Sequence, residues 1–261
     1  MDKKEEFYII DTHAHYDDEA FEDDRDELLK SFESRGIKRV VNIGASMESS
    51  SASLALAKDY PFVYAVVGIH PSSAEEISDE NISLLENMSL DEKVVAIGEI
   101  GLDYYYDEPD REIQKKCFRA QLDLAKRCGL PVVIHSRDGA KDTLDILKEY
   151  KGVKGVIHCY SYSREMAREF IKLGYVLGIG GVVTFKNAKK IEETVKEISF
   201  EDFVLETDCP YLSPVPNRGK RNSSLNLTYI IDRISEIKGV SRDFIIEQSF
   251  ENARRLYPKM K

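Results

Sequence analysis

The chain has 261 residues, 42% of them hydrophobic and 32% charged, enough for a substantial core under a soluble surface. A formal net charge of −10 argues against non-specific nucleic-acid binding through a general positive field, which leaves that role to local cations or bound metal. No apolar run approaches the roughly 18 residues of a membrane span, Met1–Glu6 carry no apolar signal-peptide stretch, and Cys117, Cys128, Cys159 and Cys209 form no CxxC pair. A reducing cytoplasm is therefore the expected location, without a disulfide framework and without membrane association.

An apolar run, Phe7–His13, opens the pattern and leads directly into His13-Ala14-His15. Further runs follow at Arg39–Gly44, Phe62–His70, Lys93–Glu99, Pro131–His135, Val153–His158, Tyr175–Gly180 and Phe203–Asp208. Most are near-continuous in Val and Ile, as strands buried on both faces are. Amphipathic stretches separate them. Glu112–Cys128 carries Phe118, Leu122 and Ala125 at helical spacing, and Gly129-Leu130-Pro131 supplies a helix stop and a strand start. A last helix is expected over about Ser241–Leu256. Strands alternating with helices imply a parallel sheet, and eight such units in this length match a closed (β/α)8 TIM barrel, an α/β fold. A seven-stranded variant fits the same pattern. No linker, repeat or low-complexity tract divides the chain, so residues 1–261 read as one domain with an extra C-terminal helix, and nothing argues for an obligate protein partner.

The five histidines sort by position. His13 and His15 close the first run, His70 the third, His135 the fifth and His158 the sixth. Glu99 closes the fourth run and Asp208 the eighth. In a barrel these ends meet on the face where active sites form. Residues i and i+2 of a strand face the same side, so His13 and His15 form a chelating pair. Neutral imidazole is a strong ligand for zinc and similar metals. Four imidazoles (His13, His15, His135, His158) and two carboxylates (Glu99, Asp208) are too many for one open tetrahedral zinc and suit two divalent ions that share a carboxylate. Zinc, manganese and magnesium are the candidates. Asp11 and Glu206 share strand parity with His13 and Asp208, and read as partners that support the ligands or as barrel filling. Basic residues gather after the late strands: Arg137 behind His135, then Arg218, Lys220 and Arg221 in "PVPNRGKRN". Loops there are frequent phosphate sites in this fold, and a solvated surface is the plain alternative. Tyr104-Tyr105-Tyr106 could stack on bases or pack a loop.

The stretches "DTHAHYD", "VGIHP", "IGEIGLDYYYD", "PVVIHSRD", "GVIHCYSYS", "VLETDCPYLSPVP" and "RGKRN", in this order from Asp11 to Asn222, resemble the TatD family of metal-dependent deoxyribonucleases, as does the terminal "ENARRLY". The resemblance covers nearly the whole chain. It implies a (β/α)8 barrel and metal-dependent hydrolysis of DNA phosphodiesters, with metal ligands at His13, His15, Glu99, His135, His158 and Asp208. Glu99 stands where related amidohydrolases often carry a carboxylated lysine. The chain departs from the family after Asn222, where Ser223-Ser224 replace the acidic residue and proline often found there.

Two enzymatic readings follow. The first is a DNA phosphodiesterase, a 3′–5′ exonuclease on single strands or 3′ ends. Glu99 would bridge the ions and Asp208 would orient or deprotonate the nucleophile, while His70, Arg137, Arg218, Lys220 and Arg221 contact substrate. The alternative is hydrolysis of carboxyl ester or amide bonds, as in a D-aminoacyl-tRNA deacylase or an amidohydrolase. A non-enzymatic barrel is disfavoured by the intact ligand set.

Overall fold

The computed structural model describes residues 9–260. Phe7, Tyr8 and the N-terminal segment read above for a signal lie outside them. Eight strands alternate with helices: β1 Ile9–Ala14, α1 Arg25–Ser31, β2 Ile37–Ile43, α2 Met47–Asp59, β3 Val63–Val67, α3 Asp79–Ser89, β4 Val94–Asp103 and α4 Arg111–Cys128. The second half continues with β5 Val132–Arg137, α5 Ala140–Glu149, β6 Gly155–Ile157, α6 Arg164–Lys172, β7 Tyr175–Ile179, α7 Lys189–Glu197, β8 Phe203–Leu205, α8 Leu227–Lys238 and α9 Arg242–Leu256. The strands are parallel and lie in the order β1 to β8. Just beyond β8 the chain meets β1 again. Asp208 N donates to His13 O at 2.9 Å, and His15 N to Cys209 O at 2.8 Å. This is the expected (β/α)8 barrel, with eight strands rather than seven.

Local chemistry sets the helix ends. Asp110 accepts from Glu112 N to start α4, and Gly129, at φ 65°, ends it where only a residue tolerant of the left-handed region fits easily. The buried face of α4 holds Phe118, Leu122 and Ala125, as its spacing predicts. Ser241 is the N-cap of α9 rather than its first residue, accepting from Phe244 N.

Two apolar clusters make the core. One lies between the sheet and the helices. The other gathers Ile10, Val41, Val66, Val95, Val133, Val156 and Val204 from seven strands with Leu256, Tyr257 and Met260. The end of α9 thus plugs one mouth of the barrel, and Tyr257, fully buried, rests its hydroxyl 3.4 Å from Thr12 O. With that end filled, the opposite mouth, at the C-terminal ends of the strands, is left for polar chemistry.

Several strand ends differ from the sequence reading. β3 stops at Val67, so His70 lies on the loop, where it caps a short 3-10 turn, Pro71–Glu76. β6 and β8 stop at Ile157 and Leu205, leaving His158 and Asp208 just outside the regular strands. Asp208 has φ 58°, which a strand cannot accommodate. β4, in contrast, continues to Asp103, with a register shift against β5 between Ile97 and Ile100. Glu99 sits in that irregularity, which re-aims its side chain.

Candidate metal centre

The open mouth gathers all five histidines around Glu99 and Asp208. Glu99 divides its two oxygens. Oε2 lies 3.4 Å from His13 Nε2, while Oε1 lies 2.7 Å from His135 Nδ1 and 3.9 Å from both His70 Nε2 and His158 Nε2. Asp208 Oδ1 stands 3.4 Å from His15 Nε2, 3.6 Å from His158 Nε2 and 3.7 Å from His13 Nε2. The two Nε2 atoms of His13 and His15 are 3.2 Å apart. The two imidazoles therefore lie side by side in the mouth, although His15 is one residue past the end of β1.

The supporting residues are equally fixed. His15 Nδ1 lies 3.0 Å from Ile43 O. Glu206 Oε1 accepts from Cys159 N at 2.7 Å and is 3.0 Å from His158 Nδ1. Gly178 makes room for that carboxylate, since a Cβ there would collide with it. Asp11 is buried and accepts from the backbone of His13 and Thr207 and from the hydroxyls of Thr207 and Ser224. Ser224 also meets the Tyr16 hydroxyl at 2.8 Å. Asp11 thus ties β1 to the segment after β8, and the Ser224 that departs from the family pattern supplies one of its bonds.

A divalent cation fits this arrangement on two counts. First, Glu99, Asp103, Glu206 and Asp208 are all largely buried, and the ion pairs they make are with histidines, with no Lys or Arg nitrogen within ion-pair distance among the described residues. Carboxylates in such a place need cationic charge. Second, two donors on one tetrahedral zinc ion at about 2.0–2.1 Å sit about 3.3–3.4 Å from each other. His13 to His15 at 3.2 Å, His13 to Glu99 Oε2 at 3.4 Å and His15 to Asp208 Oδ1 at 3.4 Å lie close to that edge, with His13 to Asp208 somewhat longer at 3.7 Å. Groups of three donors also occur at His70, Glu99 and His135, and at His158, Cys159 and Asp208. His70, assigned to substrate from the sequence, thus comes within reach of Glu99.

In the metal-free protein, protons carry the missing charge. Burial opposes protonation of His15, but Asp208 and Glu99 outweigh it and push its pKa up to about 9. His158 rises to about 10, with burial overcome by Glu206, Asp208 and Glu99, and His135 to about 8 through Asp103 and Glu99. Burial and the neighbouring His158 hold His13 below its ordinary value, while burial and His135 take His70 down to about 3. Burial works against the charge on Glu99 and Asp208, yet the imidazoles hold both carboxyls below their usual range. Asp11 goes the other way, up to about 7, because its burial exceeds the help of its hydrogen bonds.

Sequence reasoning missed several residues here. Asp103 Oδ2 lies 3.1 Å from His135 Nε2. The signal was its place four residues after Glu99, visible only if β4 is allowed to run on. Tyr211, Asp17, Asp18 and Ser49 also line the mouth. The basic residues scatter. Arg137 lies over the Tyr105 ring at 3.7 Å, and Arg218 over the Phe185 ring at 3.8 Å. Lys220 is exposed on a groove beyond Tyr211. Arg221 is taken up by Asp24 in a two-bond clamp, with a further bond to Ala20 O, and so faces away from the cluster.

Residues 10–258 match the family model described as "TatD related DNase". The chain belongs to the TatD family of metal-dependent hydrolases. Among its TatD relatives is YabD of Bacillus subtilis, an uncharacterized metal-dependent hydrolase, 41% identical over 95% of this chain and 98% of that protein. YcfH of Escherichia coli K12, described in the same words, is 30% identical over 96% of each chain. The crystal structure of YjjV, a TatD homolog from Escherichia coli K12, superposes with a TM-score of 0.90 at 32% identity, covering 96% of this chain and 98% of that one.

Proposed function

We propose that this TatD protein binds two divalent ions, zinc, manganese or magnesium, and hydrolyses DNA phosphodiester bonds as a 3′–5′ exonuclease on single strands. The observation that carries the reading is the division of Glu99, one oxygen toward His13 and the other toward His135, His70 and His158. A single carboxylate faced by donors on both sides suits a shared ligand. His13, His15, Glu99 and Asp208 would hold one ion, and Glu99, His135 and His158 the other. Bound there, the ions would supply Lewis acidity and lower the pKa of a water molecule.

The chain's own groups do the rest. Asp208 would orient the attacking water and take one of its protons. The water oxygen bonds to phosphorus, the phosphorus–oxygen ester bond breaks, and the departing alkoxide gains a proton. Arg137, backed by the Tyr105 ring, is positioned to pair with phosphate. Tyr211, 54% exposed beside His15, offers a face on which a base can stack.

The deciding experiment assays the protein, loaded in turn with each metal, on single-stranded DNA, duplex DNA, RNA and aminoacyl-tRNA. Release of nucleotides from DNA is expected. Hydrolysis of aminoacyl-tRNA alone would overturn the nuclease reading in favour of a carboxyl-ester hydrolase built on the same cluster.

A further inference from the structure

The carboxylate–imidazole cluster opens into two chambers that share His135, His158, Asp208 and Tyr211. Their remaining walls differ in charge. The first, about 340 Å³, is bounded by His15, His70 and Glu99 of the cluster and, farther out, by Asp17, Asp18, Ala45 and Ser49. The second, about 400 Å³, is bounded by Ser136, Arg137 and Ser161, with Val182 and Leu212.

Asp17 is held by Asn42 Nδ2 at 2.7 Å and Asp18 by the Tyr211 hydroxyl at 2.8 Å, so both carboxylates are fixed in the wall. Arg25, the cation behind them, donates to the backbone carbonyls of Tyr16, Asp17 and Asp18 instead of to the carboxylates. Glu19 and Glu22 extend this acidic bank along the groove beyond Tyr211, with Arg218 and Lys220 on its other side. Past the second chamber, Val182 belongs to a short turn, Gly181–Thr184, that runs into Phe185, over which Arg218 lies. The groove beyond Tyr211 thus carries both signs, and the separation lies at the cluster itself, where the first chamber adds the carboxylates Asp17 and Asp18 and the second the cation Arg137.

We propose that a polyanionic strand leaves the cluster through the Arg137 chamber, and that the Asp17–Asp18 chamber takes the strand's last residue, ending in a free hydroxyl. A terminal phosphate at that end is rejected by the two fixed carboxylates, while a phosphate at the far end is tolerated. The inference rests on the nuclease reading and adds to it the chemistry of the end that the enzyme accepts.

The test uses the metal-loaded protein and four single-stranded oligodeoxynucleotides of one sequence, with a hydroxyl or a phosphate at each end. Phosphate at the 3′ end should lower kcat/KM at least about tenfold, and at the 5′ end by less than about twofold. The double variant Asp17→Asn, Asp18→Asn should restore the blocked substrate toward the hydroxyl-ended one, and rising salt should narrow the wild-type difference. Should the double variant fail to fold by circular dichroism, Asp18→Asn alone is expected to recover part of the loss. Arg137→Ala should weaken all four substrates together and keep their ratio, which a merely structural effect of the wall would not separate. Equal cleavage of all four by wild type, or an unchanged ratio in the folded Asn variants, overturns the inference and leaves the nuclease reading standing. No cleavage of any of them overturns both.

Discussion

At the residue scale the site is a problem in charge. Burial works against the charge on Glu99 and Asp208, yet the neighbouring imidazoles hold both carboxyls below their usual range, and protons on His15, His135 and His158 offer the positive charge that a metal would also supply. Replacement of Glu99 by Gln preserves shape and removes the shared charge. The expected result is loss of one of two bound ions by elemental analysis. Turnover should fall by more than the roughly 10–100-fold typical of losing a ligand's supporting partner, with an unchanged circular dichroism spectrum. Wild-type turnover at matched metal content would refute the bridging role. The same protons predict a pH dependence. His15, His135 and His158, at about 9, 8 and 10, are protonated at neutral pH in the metal-free protein and must lose those protons to coordinate. Apparent metal affinity should therefore rise between about pH 6 and 8, by up to about tenfold per pH unit for each proton released. Calorimetry in buffers of different ionisation enthalpy measures that release. Flat affinity with no buffer dependence would show that the imidazoles bind metal already neutral.

At the element scale, the legible and the illegible separate by cause. The strand cores were legible because Val and Ile runs buried on both faces have few alternatives, and α4 was legible because Phe118, Leu122 and Ala125 fall at helical spacing and Gly129 marks its end. Strand termini were not. His70, His158 and Asp208 read as strand residues because the apolar pattern runs up to them, but the regular strands end earlier, at Val67, Ile157 and Leu205, although backbone hydrogen bonds from His158 and Asp208 still reach the neighbouring strands. Asp103 was hidden by the opposite error, because a glycine-rich "GEIG" looks like a strand's end and is instead an irregularity inside β4. The partner of Arg221 in the basic loop was not legible. Nothing near Arg221 in sequence foretells Asp24, some two hundred positions away. That clamp makes a distinction between neighbours testable. Lys220→Ala should weaken DNA binding and reduce the slope of log affinity against log salt by about 0.7. Arg221→Ala should leave the slope alone and cost about 0.2–1 kcal/mol of stability, as Asp24→Asn should, because an exposed pair stabilises little. Equal slope changes in both variants would mean that Arg221 leaves Asp24 to meet phosphate.

At the scale of the whole molecule, the two ends of the barrel do different work. The end plugged by Leu256, Tyr257 and Met260 buries chiefly apolar surface. The open end concentrates buried carboxylates and imidazoles, which need positive charge from protons or from a bound cation. Folding and metal binding are therefore linked, since the donors converge from β1, β4, β5 and the segments after β6 and β8 only when the barrel is closed. An ion present at about 100 times its dissociation constant adds about 2.7 kcal/mol per site. For a chain of this size, each kcal/mol raises the melting temperature by about 2–4 °C, so one saturated site is worth about 5–10 °C. Thermal denaturation of chelated and reloaded protein measures the difference. Chelation should lower the midpoint by at least that amount, and Glu99→Gln should respond less to reloading than wild type does. A midpoint that is unmoved by saturating zinc, manganese and magnesium would mean that protons on His15, His135 and His158 already satisfy the buried carboxylates, and that the cluster does not depend on metal to hold its shape.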